Sequence, residues 1–154
     1  MKTNLLAATA ALVTTFGIFA PAAEAQEVAL SVAKVQHQLE AARSAQDRLQ
    51  LHLDRYCLDY CARMKVDIGV VEQGLQNFAN QVSNGSADGS ASKVDVARAA
   101  HQFEAIRSAL SRLAFVATKQ GDRTRRVEVD VGIVASVVTN LENQTRNALR
   151  GLVS

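Results

Sequence analysis

His37 and Glu40, and again His101 and Glu104, form a His-x-x-Glu pair. This spacing sets two side chains on one helix face, where they could share a metal ion. Di-iron bundles use the opposite order, Glu-x-x-His, with those groups pointing into the core. Here, with Val35 and Leu39 taken as the d and a positions of a heptad, His37 falls at f and Glu40 at b, both pointing outward. Two ligands also leave a tetrahedral site half empty. A solvated face with Glu40–Arg43 and Glu104–Arg107 ion pairs is therefore the favoured reading. Metal binding through His37, Glu40, His101 and Glu104 is the weaker alternative, and no cofactor is expected. The same outward positions, His37, Glu40, Arg43, His101, Glu104 and Arg107, are the candidate binding face, since they match best between the two parts of the chain.

Cys57 and Cys61 are the only cysteines. In an oxidising compartment they are expected to form one disulfide across a helix-to-helix turn, where the required Cβ directions are met more easily than inside a continuous helix. A redox pair and an intermolecular bridge are the alternatives. A thioredoxin-like pair has two intervening residues and lies beside a strand, whereas three residues intervene here. Asp67 and Asp130 are each followed two residues later by a glycine, Gly69 and Gly132. A helical glycine costs about 1 kcal/mol relative to alanine, so close helix approach or local kinking is the expected reason for both. Two aspartates without a placed base, nucleophile or third ligand make no active site, and pairing with a nearby Arg or His is expected. The chain carries no Ser-His-Asp spacing, phosphate-cradling glycine loop, haem-attachment motif or metalloprotease helix motif. The reading is a protein that is not an enzyme.

The elements that must position these residues come in two copies. His37-Gln38-Leu39-Glu40-Ala41-Ala42-Arg43-Ser44-Ala45 recurs 64 positions on as His101-Gln102-Phe103-Glu104-Ala105-Ile106-Arg107-Ser108-Ala109, and Arg48-Leu49 as Arg112-Leu113. Val66-Asp67-Ile68-Gly69-Val70-Val71 recurs 63 positions on as Val129-Asp130-Val131-Gly132-Ile133-Val134, and Asn77, Asn80 and Gln81 as Asn140, Asn143 and Gln144. Matches at both ends with one deletion between them indicate a tandem duplication.

Within each copy, apolar residues step by four and three. One seam runs from Val28 through Val32, Val35, Leu39, Ala42, Gln46, Leu49 and Leu53 to Tyr56, and a second from Met64 through Ile68, Val71, Leu75 and Phe78 to Val82. That periodicity is one face of a helix packed along a neighbour. Residues 127–133 alternate as a strand would, but the helical seam outruns ordinary strand length. Gln120-Gly121-Asp122 stops and restarts the helix in the second copy. The first copy has no such signal at Tyr56–Cys61, and one long helix over residues 28–83 is the alternative there. The expected fold is all-α, a four-helix up-down-up-down bundle of two hairpins, residues 26–83 and 93–154, joined by a flexible linker over 84–92. Together they form a single domain, because a lone hairpin exposes its seam.

Met1-Lys2, an apolar run from Leu5 to Ala20, and Ala23-Glu24-Ala25 are the pattern of a signal peptide spanning residues 1–25 and cleaved after Ala25. The run is short and polar for a spanning helix, and no second apolar stretch of spanning length follows. A periplasmic or otherwise secreted protein is expected. Lys and Arg number 17 against 15 Asp and Glu, which gives no global reason to bind nucleic acid. Lys119, Arg123, Arg125 and Arg126 crowd the second turn and suit a weak contact with an anionic surface. Val66, Val70, Val129, Ile133 and Val137 lie off the main seam, which favours a partner: another envelope protein or a second copy of this chain. The function expected from sequence is protein–protein or self-association by a non-enzymatic helical bundle. A metal- or small-ligand-binding bundle using the His–Glu pairs is the alternative.

Overall fold

A computed structural model describes residues 26–56, 61–120 and 125–153. The signal-peptide reading, the disulfide partner Cys57, the turn residues 57–60 and 121–124, and Arg123 lie outside the described residues, as does the side chain of Cys61.

The described chain is mostly helical, with a small two-stranded sheet. Strand β1 (Glu27–Ser31) leads into α1 (Val32–Tyr56) and α2 (Cys61–Asn84); strand β2 (Ala91–Asp95) leads into α3 (Val96–Gln120) and α4 (Arg125–Val153). The single long helix over residues 28–83 is not formed, because α1 ends at Tyr56 and α2 begins at Cys61, and the two pack on each other. Residues 127–133 lie within α4, as their helical seam requires.

The strands correct the sequence reading, in which Val28 opens the first helical seam and residues 84–92 are wholly linker. Instead Val28 and Leu30 are buried between exposed neighbours, and Ser92 and Val94 are buried on either side of exposed Lys93, a period of two rather than 3.6. The reason is tertiary. β1 and β2 satisfy each other's backbone in an antiparallel pair with Val28 opposite Val94 and Leu30 opposite Ser92. The first N–H of each following helix is also used: Val32 N–H donates to the Ser90 carbonyl (3.2 Å) and Val96 N–H to the Gln26 carbonyl (3.0 Å). Asp95 caps α3 by accepting from the Arg98 N–H at 3.0 Å.

The segment between α2 and β2 is also more tightly held than a flexible linker. Gly85 N–H bonds the Gln81 carbonyl, and the Gly85 carbonyl accepts from Lys93 N–H at 3.1 Å. A Cβ at residue 85 would collide with the Lys93 carbonyl oxygen, so only glycine fits. Gly89 supplies a positive φ of 77°. Asp88 accepts from the Ser90 N–H, and the backbone and side-chain hydrogen bonds of Ser90, with a further backbone bond from Ala91, hold its carboxyl below the ordinary value.

Helix α1 packs on α2 and α4, and α3 packs on α2 and α4. The core is the predicted seams: Val35, Leu39, Ala42, Leu49 and Leu53 on α1, Met64 to Val82 on α2, and their counterparts on α3 and α4. Phe78 and Phe103, both fully buried, tilt against each other with ring centroids 4.8 Å apart. Among the described residues no helix is long and apolar enough to cross a membrane.

Candidate functional site

The polar residues held most firmly are not the predicted outer face but a set joining the two parts of the chain. Asp67 of α2 and Asp130 of α4 are buried. Arg112 of α3 donates to Asp67 from Nε at 2.8 Å and Nη2 at 2.7 Å, and its Nη1 reaches Ser108 Oγ at 2.7 Å. Arg48 of α1 donates from Nε to Asp130 at 2.8 Å and from Nη1 to Ser44 Oγ at 2.9 Å. His52 Nε2 lies 3.7 Å from the other Asp130 oxygen. Nearer the sheet, Gln81 donates to Gln102 at 2.8 Å and Gln144 to Gln38 at 2.9 Å.

Each aspartate thus pairs with an arginine from the other part of the chain, at positions that correspond in the two sequence copies. The recurrence of Arg48 and Arg112 in the sequence was the available signal for this set. Which carboxylate each would meet was not readable, because it depends on which helices become neighbours. Neither aspartate is left as a lone base or metal ligand. Among the described residues no three His, Cys, Asp or Glu side chains converge where a metal could sit.

The predicted face divides. His37, Glu40, His101 and Glu104 are exposed, as their heptad positions require. The expected Glu40–Arg43 and Glu104–Arg107 pairs are replaced by contacts to the following helix: Arg43 donates to Gln76 (3.1 Å), and Arg107 pairs with Glu142 (3.0 Å), which also accepts from Arg146. Inter-helix partners lie closer to the guanidinium than the same-helix glutamate does. Glu40 and Arg43 border a shallow groove of about 270 Å³ between α1 and α2. His101 borders another, of about 390 Å³, between α2 and α3.

That second groove is largely apolar, lined by Val66, Gly69, Val70, Gly74 and Ala105 beside His101. Val66 is 66% exposed and Val129, its counterpart, 59%. Leu51 on α1 and its counterpart Phe115 on α3 are likewise exposed, at 46% and 64%. Ile133 is exposed, Val70 is half-buried, and Val137 is buried in the core instead. Gly69 and Gly132 face open space: a Cβ there would meet nothing within 4 Å. The expected close helix approach belongs to Gly74, where an added Cβ would come within 2.5 Å of Ile106 Cγ1.

Of the basic cluster, Lys119, Arg125 and Arg126 are exposed. The Lys119 ammonium sits 5.5 Å from the centre of the Phe115 ring. Arg125 and Arg126 share a groove with Arg48, His52 and Asp130. Between α1 and α2, Lys65 pairs with Asp54 at 2.8 Å, and this bond, with that from Gln50, holds the Asp54 carboxyl below its ordinary value.

Comparison with family models, with curated proteins and with solved structures returns no match.

Proposed function

We propose that this chain is a secreted, periplasmic-type helical-bundle protein without catalytic activity that works by binding another protein or a second copy of itself. The proposed organisation is an up-down-up-down bundle of two duplicated hairpins, released by cleavage after Ala25 and bridged at its first turn by Cys57 and Cys61. The observation that carries the binding role is the pairwise recurrence of exposed apolar side chains. Leu51 and Phe115, and Val66 and Val129, stand in water at corresponding positions of the two copies. A scattered exposed valine is ordinary, but the same exposure repeated at matched positions marks a surface meant to be covered.

The binding region centres on Val66 and Val70 of α2 with His101 and Ala105 of α3, the groove in which predicted-face and apolar residues meet. The Arg43 and Arg107 contacts hold the adjoining helices in place; Glu40 borders the separate groove between α1 and α2, and Glu104 is exposed on α3. Exposed Lys119, Arg125 and Arg126 add a weak attraction for anionic surfaces.

The test is a pull-down from envelope extract together with light scattering of the purified chain. Val66→Lys with Val129→Lys is expected to abolish capture or self-association while leaving the thermal midpoint nearly unchanged, since both side chains already face water. Glu40→Lys with Glu104→Lys is expected to weaken it less. Capture insensitive to both pairs, from a chain that scatters as a strict monomer, would refute the proposal.

A further inference from the structure

The contacts between residues 26–84 and residues 91–153 are made twice, with the roles of the halves exchanged. In the sheet, Ala29 faces Lys93, its own counterpart 64 positions on, so the strand pair lies on a local two-fold axis. Val32 N–H to Ser90 and Val96 N–H to Gln26 are one contact repeated. So are Arg48–Asp130 and Arg112–Asp67, and so are Gln144–Gln38 and Gln81–Gln102. This is the arrangement of an isologous dimer interface, here closed within one chain by Gly85–Ser90. An interface of that kind can be completed equally by a second molecule.

The halves are nevertheless not interchangeable. Between the Arg112–Asp67 and Gln81–Gln102 contacts, α2 offers Gly74 to Ile106 of α3 so closely that a Cβ at residue 74 would lie 2.5 Å from Cγ1 and 2.8 Å from Cδ1. The corresponding positions on α4 and α1 hold Val137 and Ala42, both buried. The larger and smaller residues have changed sides. Two first halves paired together would set Gly74 against Ala42 and leave voids. Two second halves would set Val137 against Ile106 and overlap, with Lys93 directly opposite Lys93. Only a first half against a second half fits.

We infer that the inter-half surface is a self-excluding recognition surface whose partner outside its own chain is the opposite half of a second copy, so that two chains can exchange halves into a closed dimer. The inference concerns the buried interface and stands independently of the exposed-groove reading above.

The test uses full-length chains kept reduced, so that Cys57 and Cys61 form no bridge between molecules. Gly74→Val and Ile106→Ala are each expected to lower the thermal midpoint by about 5 °C or more. The two combined in one chain are expected to recover most of that loss. A mixture of the two single variants, differently tagged, warmed through the transition and cooled at high concentration, is expected to give a two-chain species holding one of each, with a midpoint near wild type. In it the Gly74→Val site of one chain meets the Ile106→Ala site of the other, and the unaltered Gly74 meets the unaltered Ile106. Should Gly74→Val fail to fold alone, its rescue by the mixture reads the same exchange, and Gly74→Ala mixed with Ile106→Val repeats it with smaller changes. A double variant no more stable than the sum of its losses, or a mixture that melts as two separate monomers, overturns the inference.

Discussion

Arg112 and Asp67 show how one ion pair can be expensive to break and still modest in net worth. The Asp67 side chain is buried while that of Arg112 is 42% exposed, so the arginine keeps much of its hydration and the aspartate depends on it. Arg112→Ala is expected to destabilise the fold by about 2 kcal/mol, less than the roughly 3–5 kcal/mol of a fully buried pair, because one partner stays wet. Arg48→Ala should cost a similar amount, and urea unfolding of both variants measures it. The exposed Asp54 pair predicts a titration instead. Its folded carboxyl is held below the ordinary 3.8 by the hydrogen bonds from Lys65 and Gln50. A lowered carboxylate contributes stability that is present above the ordinary value and lost as pH falls through the folded value. NMR titration should therefore place its midpoint below 3.8, and Lys65→Met should raise it. A midpoint unmoved by that substitution would contradict the pairing. The repeated arginines were legible in sequence, and their partners were not, because partnership is a property of helix neighbours.

Among the elements, the helices follow from the four-three seam, and the glycines separate by what surrounds them. Gly69 and Gly132 lie on exposed helix surface with open space where a Cβ would go. Alanine at either position is expected to stabilise by about 0.5–1 kcal/mol through backbone entropy and helix propensity. Gly85→Ala should do the reverse, since the new Cβ would strike the Lys93 carbonyl that holds β2 to the end of α2. Chemical denaturation of the three variants should show two gains and one loss, and a loss at Gly69 or Gly132 would mean that those positions serve a contact beyond this chain. Ser92 offers a fourth measurement. Its hydroxyl is buried without a hydrogen-bond partner, so Ser92→Ala is expected to be neutral or to stabilise by up to about 1 kcal/mol. The strands themselves escape a helical reading because Val28 and Val32 fit a step of four as well as the flank of a strand. Five residues carry too little pattern to decide between the two.

At the scale of the molecule, the two halves contribute to one hydrophobic core. The strand pair, both Arg–Asp contacts and both Gln–Gln contacts cross between halves. Thermal unfolding followed by helical signal and by the tertiary signal of Phe78 and Phe103 is therefore expected to be one coincident transition. Two separable transitions would mean that a hairpin is stable alone. The interior is also uneven in polarity. Gln46 and Thr145 are buried where their counterparts are Leu110 and Val82, so the two halves differ in their core as well as at Gly74 and Ile106.

The helical class, the apolar seams and the correspondence between copies are carried by local spacing and propensity, which any window of the chain displays on its own. Outward placement of His37, Glu40, His101 and Glu104 follows from the same phase. The Asp67–Arg112 and Asp130–Arg48 partnerships were decided only by the tertiary structure. So were the strand pair around Ala29 and Lys93, the tight approach at Gly74 and the open space at Gly69 and Gly132. These depend on which helix lies beside which and at what level. That choice is made by closing two incomplete halves on each other, an energy shared between residues far apart in sequence and written in no single stretch of it.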